Sequence, residues 1–215
     1  MTVVGRIADD VLALPGAAIR RVTVDGVDGA GKTHFADELA AALARRGTPV
    51  IRASADGFHH PAAVRHRRGR SSPEGFFHDS YDYPRLIELL LAPLSPGGSR
   101  DYVGQIYDVH TEAPVIMAAE RAEPGSILVF DGIFTHRDEL AGYWDYSVWL
   151  EVPFAVSIPR GASRGYGHPD PADPSNHRYV AGQRLYLAAC RPAERATVVV
   201  DNTNVDDRVL LRGGT

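Results

Sequence analysis

The 215-residue chain reads as an α/β domain with a mostly parallel central sheet between two helical layers. Three observations predict this. Arg21-Val22-Thr23-Val24 and Ser126-Ile127-Leu128-Val129-Phe130 are short, continuous apolar or β-branched runs, as expected of strands buried on both faces. Residues 34–46 carry Phe35, Leu39, Ala42 and Leu43 at helical spacing. Between the first strand and this helix lies Gly26-Val27-Asp28-Gly29-Ala30-Gly31-Lys32-Thr33, which fits the P-loop pattern.

The chemistry of that loop follows from its residue types. Its glycines allow a tight turn that brings backbone N–H groups from 26 to 33 against phosphate oxygens. Lys32 supplies a mobile positive charge, and the Thr33 hydroxyl can bind Mg²⁺. Lys32 is the only lysine in the chain, every other basic side chain being arginine or histidine. A compact ammonium and a forked guanidinium are not interchangeable at such a site. The fold class expected is therefore the three-layer P-loop nucleoside-triphosphate hydrolase type.

The remaining elements follow in order. Val4, Ile7, Val11 and Leu14 predict an N-terminal helix within 1–19, stopped by Pro15-Gly16. Gly47 closes the 34–46 helix. Residues 49–53 form a second strand that delivers Asp56 to the carboxyl end of the sheet, where ligands bind in open α/β folds. Asp56 reads either as a general base or Mg²⁺ partner, or as a turn residue of Asp56-Gly57. His59 and His60 are adjacent, so they cannot readily face one ion. The basic run Arg65-His66-Arg67-Arg68-Gly69-Arg70 reads as a solvated loop or a flap over an anionic substrate; lacking interleaved aromatics, it is a poor nucleic-acid patch.

Phe76 to Tyr83 mixes aromatic rings with carboxylates, a combination suited to a sugar or a base, or to a helix resting on the core. Leu86, Leu89 and Leu90 mark the next helix. Residues 102–109 and 114–117 are compatible with a hairpin, which places the acceptor-binding region at about 57–118. The strand 126–130 ends in Asp131, whose carboxylate would reach Mg²⁺ or its waters. Residues 146–152 form another strand. Residues 154–164 predict a helix that Pro159 breaks or kinks, with Arg160 and Arg164 four apart. Residues 165–176 are rich in Gly, Pro and Asp; with the arginines they suit a lid over about 154–178. A helix over 178–190 and a strand over 197–200 complete one domain spanning 1–215.

Bulk properties narrow the class. A net charge of −4 argues against nucleic acid as a partner. A single cysteine, Cys190, excludes an internal disulfide and suits a reducing cytoplasm. No signal peptide and no membrane-length apolar run are visible. The partner expected is a small-molecule hydroxyl acceptor, with neither nucleic acid nor membrane; self-association into a homo-oligomer stays open.

Taken with Val24-Asp25 ahead of the loop, this order of motifs resembles the uridine kinase-like P-loop kinases, relatives of phosphoribulokinase and bacterial pantothenate kinase. The resemblance covers about 20–202 and is most specific at the P-loop. It implies an ATP- and Mg²⁺-dependent kinase acting on a hydroxyl, most readily of uridine or cytidine. A sugar, a sugar phosphate or pantothenate is the alternative acceptor, and an ATP-binding regulatory protein is the alternative outside enzymes. A GTPase-type switch would need an Asn-Lys-x-Asp segment, which a chain with one lysine in its P-loop does not contain.

The resemblance implies roles residue by residue. Asp56 is the general base and Mg²⁺ partner, with His59 beside it among the substrate-binding residues. Asp82 holds ribose hydroxyls, and Tyr107 begins the segment that embraces the base. Thr33 and Asp131 serve the metal, with Asp131 standing where the family has Glu. Lys32, Arg160 and Arg164 hold phosphates. The Tyr107-Asp108 segment is shorter than the family's, and the lid lacks the family's Arg-Gly-Arg.

Overall fold

A computed structural model describes residues 2–16 and 18–213. Met1 and Ala17 of the expected N-terminal region, and the last two residues of the expected domain, lie outside the described residues. The strands are β1 (Arg20–Gly26), β2 (Val50–Ser54), β3 (Asp101–Tyr102), β4 (Tyr107–Asp108), β5 (Ala113–Pro114), β6 (Glu120–Arg121), β7 (Ile127–Asp131), β8 (Tyr146–Glu151), β9 (Val198–Asp201) and β10 (Val209–Arg212). The helices are α1 (Val3–Ala13), α2 (Lys32–Ala44), α3 (Ala62–Arg65), α4 (Pro73–Asp79), α5 (Tyr83–Leu86), α6 (Asp138–Ala141), α7 (Phe154–Ala162), α8 (His177–Cys190) and α9 (Pro192–Arg195).

Six strands form the central sheet in the order β10-β9-β8-β1-β7-β2. All neighbouring pairs are parallel except β9 with β10. Strand β1 lies between β7 and β8, so the chain passes to one side of β1 for β2 and β7, then to the other for β8 and β9. This reversal is the topological switch point, and it opens a crevice at the carboxyl end of β1. The P-loop sits there, between β1 and α2.

Burial explains why these runs become strands. Every residue of β7 is buried, as is every residue of β1 after Arg20. Along β1, Thr23 and Asp25 meet Thr135, His136 and Tyr186, so the alternate Val22 and Val24 face the opposite side of the sheet. Helix α2 packs on β1, β2 and β7, with α1 against it, and α4 packs on α8. Phe35, Leu39, Ala42 and Leu43 of α2 are all buried. Gly47 closes that helix at φ +81°, a conformation natural only to glycine.

Three local expectations need correction. The hairpin over 102–117 is not one continuous ladder: β3 pairs with β6 and β4 with β5, each over two residues. A strand pair this short presents little periodicity to read. The leucine-rich helix tightens into α5 and then widens into a π-turn over Ile87–Leu91, where Ala92 N–H donates to the Ile87 carbonyl. Leu86 and Leu90 are buried as expected, while the extra residue leaves Leu89 half-buried and brings Leu91 and Leu94 into the core. Pro159 does not break α7, which runs on to Ala162. It costs one main-chain bond in a short helix, while its own carbonyl still accepts from Ser163 at 3.0 Å.

Candidate phosphoryl-transfer site

The P-loop glycines have different tasks. Gly31 lies at φ +89° and caps α2 without a side-chain bond, leaving the first-turn N–H groups of the helix open towards the loop. Gly29, at φ +75°, is required by packing as well: a Cβ there would lie 2.0 Å from the Ser157 carbonyl oxygen of α7. The loop is thus wedged against α7. Asn202, fully buried after β9, donates from its amide to the Ala30 carbonyl at 2.6 Å.

Behind the loop lies a buried polar cluster not anticipated from the sequence. Asp25 accepts from the Gly26 N–H at 2.7 Å through Oδ1, and from His136 Nδ1 at 2.8 Å and the Tyr186 hydroxyl through Oδ2. A carboxylate can only accept, so His136 carries its proton on Nδ1. Asp25 thereby fixes the first glycine of the loop from below.

In front of the loop, a cavity of about 130 Å³ is lined by Asp28, Gly29, Gly31, Lys32, Thr33, Asp56, Tyr81, Asp131 and Arg164, among others. Lys32 Nζ donates to the Val27 carbonyl at 3.0 Å, folded back over the loop. Thr33 Oγ1 donates to Asp131 Oδ2 at 2.7 Å. The other Asp131 oxygen accepts from Arg52 at 3.0 Å. Asp56 stands in the short helical turn Ala55–Phe58 after β2, with its carboxylate exposed and without a protein partner among the described residues. Arg164 is likewise exposed and has no carboxylate partner among them.

A second cavity of about 360 Å³ adjoins the first through Ser54 and Asp56. Arg52, Gly57, Gln105, Asp108 and His110 complete much of its wall. It lies between the end of β2 and the β4–β5 hairpin. Asp56 is therefore the one acidic side chain shared by both cavities.

The donor set fits a Mg²⁺ ion. A hydroxyl and a carboxylate already converge at Thr33 and Asp131, both oxygen donors of the kind a hard cation prefers. No group of three or more His, Cys, Asp or Glu side chains gathers as a metal-ligand set among the described residues, at this site or any other. A divalent ion here would therefore take its other ligands from phosphates and water.

Several predicted site residues are turned away. Arg160 donates to the carbonyls of Asn202, at 3.0 Å, and Thr203, so it braces the loop after β9 instead of facing the cavity in front of the Gly26–Thr33 loop. Only Arg164 of the lid pair reaches that cavity. Asp82 caps α5 by accepting from the Arg85 N–H at 3.1 Å. Tyr107 is buried and donates to Glu112 at 3.0 Å. His59 lies ring to ring with Tyr81, centroids 4.5 Å apart, and its Nδ1 meets the Asp56 carbonyl at 3.0 Å. It supports the Asp56 turn, and burial lowers its pKa.

The basic run is also committed internally: Arg67 and Arg68 both bind Asp79, and Arg65 binds Glu112. Residues 165–176, read as an exposed lid loop, wrap around buried Asn176, whose amide donates to the His168 and Asp170 carbonyls at 2.7 and 2.8 Å. Tyr81 was missed by the sequence reading as a site residue. Its ring is buried and lines the cavity, and burial with the nearby Asp56 and Asp28 charges holds its hydroxyl well above the usual range.

No helix among the described residues is long and apolar enough to cross a membrane. No family model matches the chain, and no curated protein matches its sequence. Solved structures do. A possible uridine kinase from Bacillus stearothermophilus is 21% identical with a TM-score of 0.72, the match covering 91% of this chain and 96% of that one. A candidate fructose transport system kinase from a Silicibacter species is 22% identical with a TM-score of 0.70, over 88% of this chain and 96% of the other. D-glycerate 3-kinase from Cryptococcus neoformans is 12% identical with a TM-score of 0.59, over 98% of this chain and 100% of the other. With its central parallel sheet and the Gly26–Thr33 loop at the switch point, the chain has the fold of these P-loop kinases.

Proposed function

We propose that this protein is a kinase that transfers the γ-phosphoryl group of ATP to a hydroxyl of a small polyhydroxylated molecule. The observation that carries the reading is the placement of Asp56. Its unpartnered carboxylate separates the phosphate cavity, with Lys32, Thr33, Asp131 and Arg164, from the larger cavity of mixed lining beneath the hairpin.

Each residue then has a task. The loop N–H groups hold the phosphates, and Lys32 exchanges its bond to the Val27 carbonyl for a phosphate oxygen. Thr33 and Asp131 would hold Mg²⁺, which neutralises phosphate charge when bound. Asp56 accepts the proton of the acceptor hydroxyl as that oxygen attacks phosphorus and ADP leaves. Arg164 faces the oxygens of the moving group, where developing charge is stabilised.

The wall of the larger cavity favours a sugar or polyol as acceptor. It presents Asp56, Asp108, Gln105 and Arg52, which are hydroxyl partners, and no Phe, Tyr or Trp ring on which a base could stack, the imidazole of His110 being the one ring in its lining. The nucleoside reading relies on Tyr107 and Asp82, both engaged elsewhere. It retains support from similarity to a possible uridine kinase, and it is the second reading. The test is ADP release from Mg-ATP against D-fructose, D-ribose, D-glycerate, their phosphates, pantothenate, uridine and cytidine, with product masses measured. Turnover with a sugar or polyol supports the first reading. Turnover confined to uridine and cytidine supports the second, and none with any acceptor contradicts both.

A further inference from the structure

Asp28 is an anomaly in a loop whose purpose is to hold anions. A carboxylate on a phosphate cradle repels its ligand, and nothing in the turn at Gly29 and Gly31 calls for an acid at this position. Its contacts separate it from phosphate binding. The Asp28 N–H, which could have faced a phosphate, donates to Gln183 Oε1 at 2.7 Å. The Gln183 amide nitrogen returns a bond to Asp28 Oδ2 at 3.2 Å and gives its other proton to the Tyr179 carbonyl at 3.0 Å. Gln183 is fully buried in α8, so this clamp has one orientation. Asp28 Oδ1 has no protein partner among the described residues. The side chain lines the cavity that also holds Asp56, Tyr81 and Arg164.

We infer that Asp28 is a second acceptor-binding carboxylate: its Oδ1 takes a hydroxyl of the acceptor next to the one that Asp56 deprotonates. The protein then requires an acceptor with at least two hydroxyls that reaches from the larger cavity past Asp56 to Asp28 at the edge of the smaller one, and discriminates against those with one. This rests on the kinase reading above and adds the acceptor's chemistry to it. The electrostatics agree. Burial pushes the Asp28 carboxyl up, Lys32 draws it down, Asp56 pushes it up again, and Arg164 lowers it. The structural return on the carboxylate is one 3.2 Å bond from Gln183 to Oδ2, which leaves Oδ1 for a ligand. A merely bracing role would be served by the Asp28 N–H and a neutral acceptor such as the Asn side-chain oxygen.

The experiment compares the full-length protein with Asp28→Asn, using D-fructose, D-ribose, D-glycerate and uridine, each beside analogues lacking one hydroxyl. For an accepted compound, Asp28→Asn should raise the acceptor KM at least ~10-fold while the ATP KM moves less than about twofold. With the analogue lacking the hydroxyl that Asp28 holds, the two proteins should become equal within about twofold, because the interaction is already gone. Gln183→Leu, which keeps the carboxylate and loosens it, should raise the acceptor KM in the same direction. It also carries the test at a temperature where both proteins are folded, should Asp28→Asn melt early.

An unchanged acceptor KM overturns the proposal. So does a penalty that persists with every analogue, or an ATP KM that rises in step. A wild-type protein that transfers to none of the probes overturns the kinase reading itself. Failure of this inference alone shows instead as an active wild type matched by Asp28→Asn.

Discussion

The Thr33 hydroxyl donates to Asp131 Oδ2 across 2.7 Å, tying the first turn of α2 to the end of β7. Arg52 holds the other oxygen of the same carboxylate at 3.0 Å and continues to Asp37. The pair is thus oriented before any cation arrives. Asp131→Asn should lower kcat/KM by ~100-fold and raise the Mg²⁺ concentration needed for half-maximal rate. A magnesium titration of both proteins at saturating ATP checks this.

Among the described residues Asp56 has no protein hydrogen bond through its carboxylate, which suits a group that must take up a proton from a ligand. Asp56→Asn should retain ATP binding, measured by titration calorimetry, and lose transfer by ~100-fold or more. Near-normal turnover would remove Asp56 from the role of base.

The two arginines of the lid region should separate. Arg164 faces the phosphate cavity, so Arg164→Ala should cut kcat by ~100-fold or more. Arg160 binds the Asn202 and Thr203 carbonyls, so Arg160→Ala should act mainly on stability, by about 1–3 kcal/mol. Urea denaturation beside steady-state kinetics distinguishes the two outcomes.

Asp25 gathers the Gly26 N–H, the His136 ring and the Tyr186 hydroxyl in a site closed to solvent. Asp25→Asn sets an amide against donors and should destabilise the protein by about 3–5 kcal/mol. Thermal melting reads this directly, with the P-loop loosened before any change at the acceptor cavity.

Asp79 is buried, which raises its carboxyl pKa, but the hydrogen bonds and charges of Arg67 and Arg68 outweigh burial and hold it below the ordinary value. A depressed folded-state pKa contributes stability that is present above the unfolded value, near 3.8, and is lost as pH falls through the folded value. Melting temperatures between pH 7 and pH 3 should therefore fall further for the wild type than for Asp79→Asn.

What the sequence disclosed and what it hid have physical causes. The strands 20–26 and 127–131, the P-loop and the α2 face were legible because burial on both faces and helical periodicity leave a local pattern. The Asp131–Thr33 pairing was legible because an acid at the end of a buried central strand has one direction to point. The Asp25–His136–Tyr186 cluster was not, since Asp25 is more than a hundred residues from the other two, which lie 50 apart, and the three carry no shared spacing. Arg160 was misread because four-residue spacing places two side chains on one face only while the helix lasts, and α7 ends at Ala162. Asp82 and Tyr107 carry the residue types a sugar or base would want, yet a helix cap and the exposed Glu112 claim them first. Composition could not show that.

The central claim is transfer across Asp56, and the most direct measurement follows the γ-phosphoryl group. The wild type and Asp56→Asn would each be incubated with Mg-ATP labelled at the γ-position and the acceptor panel, with label in the acceptor and free phosphate counted separately. The account predicts label in a hydroxyl compound with the wild type and almost none with Asp56→Asn, at equal ATP binding. Label appearing only as free phosphate, or equally in both proteins, would contradict it.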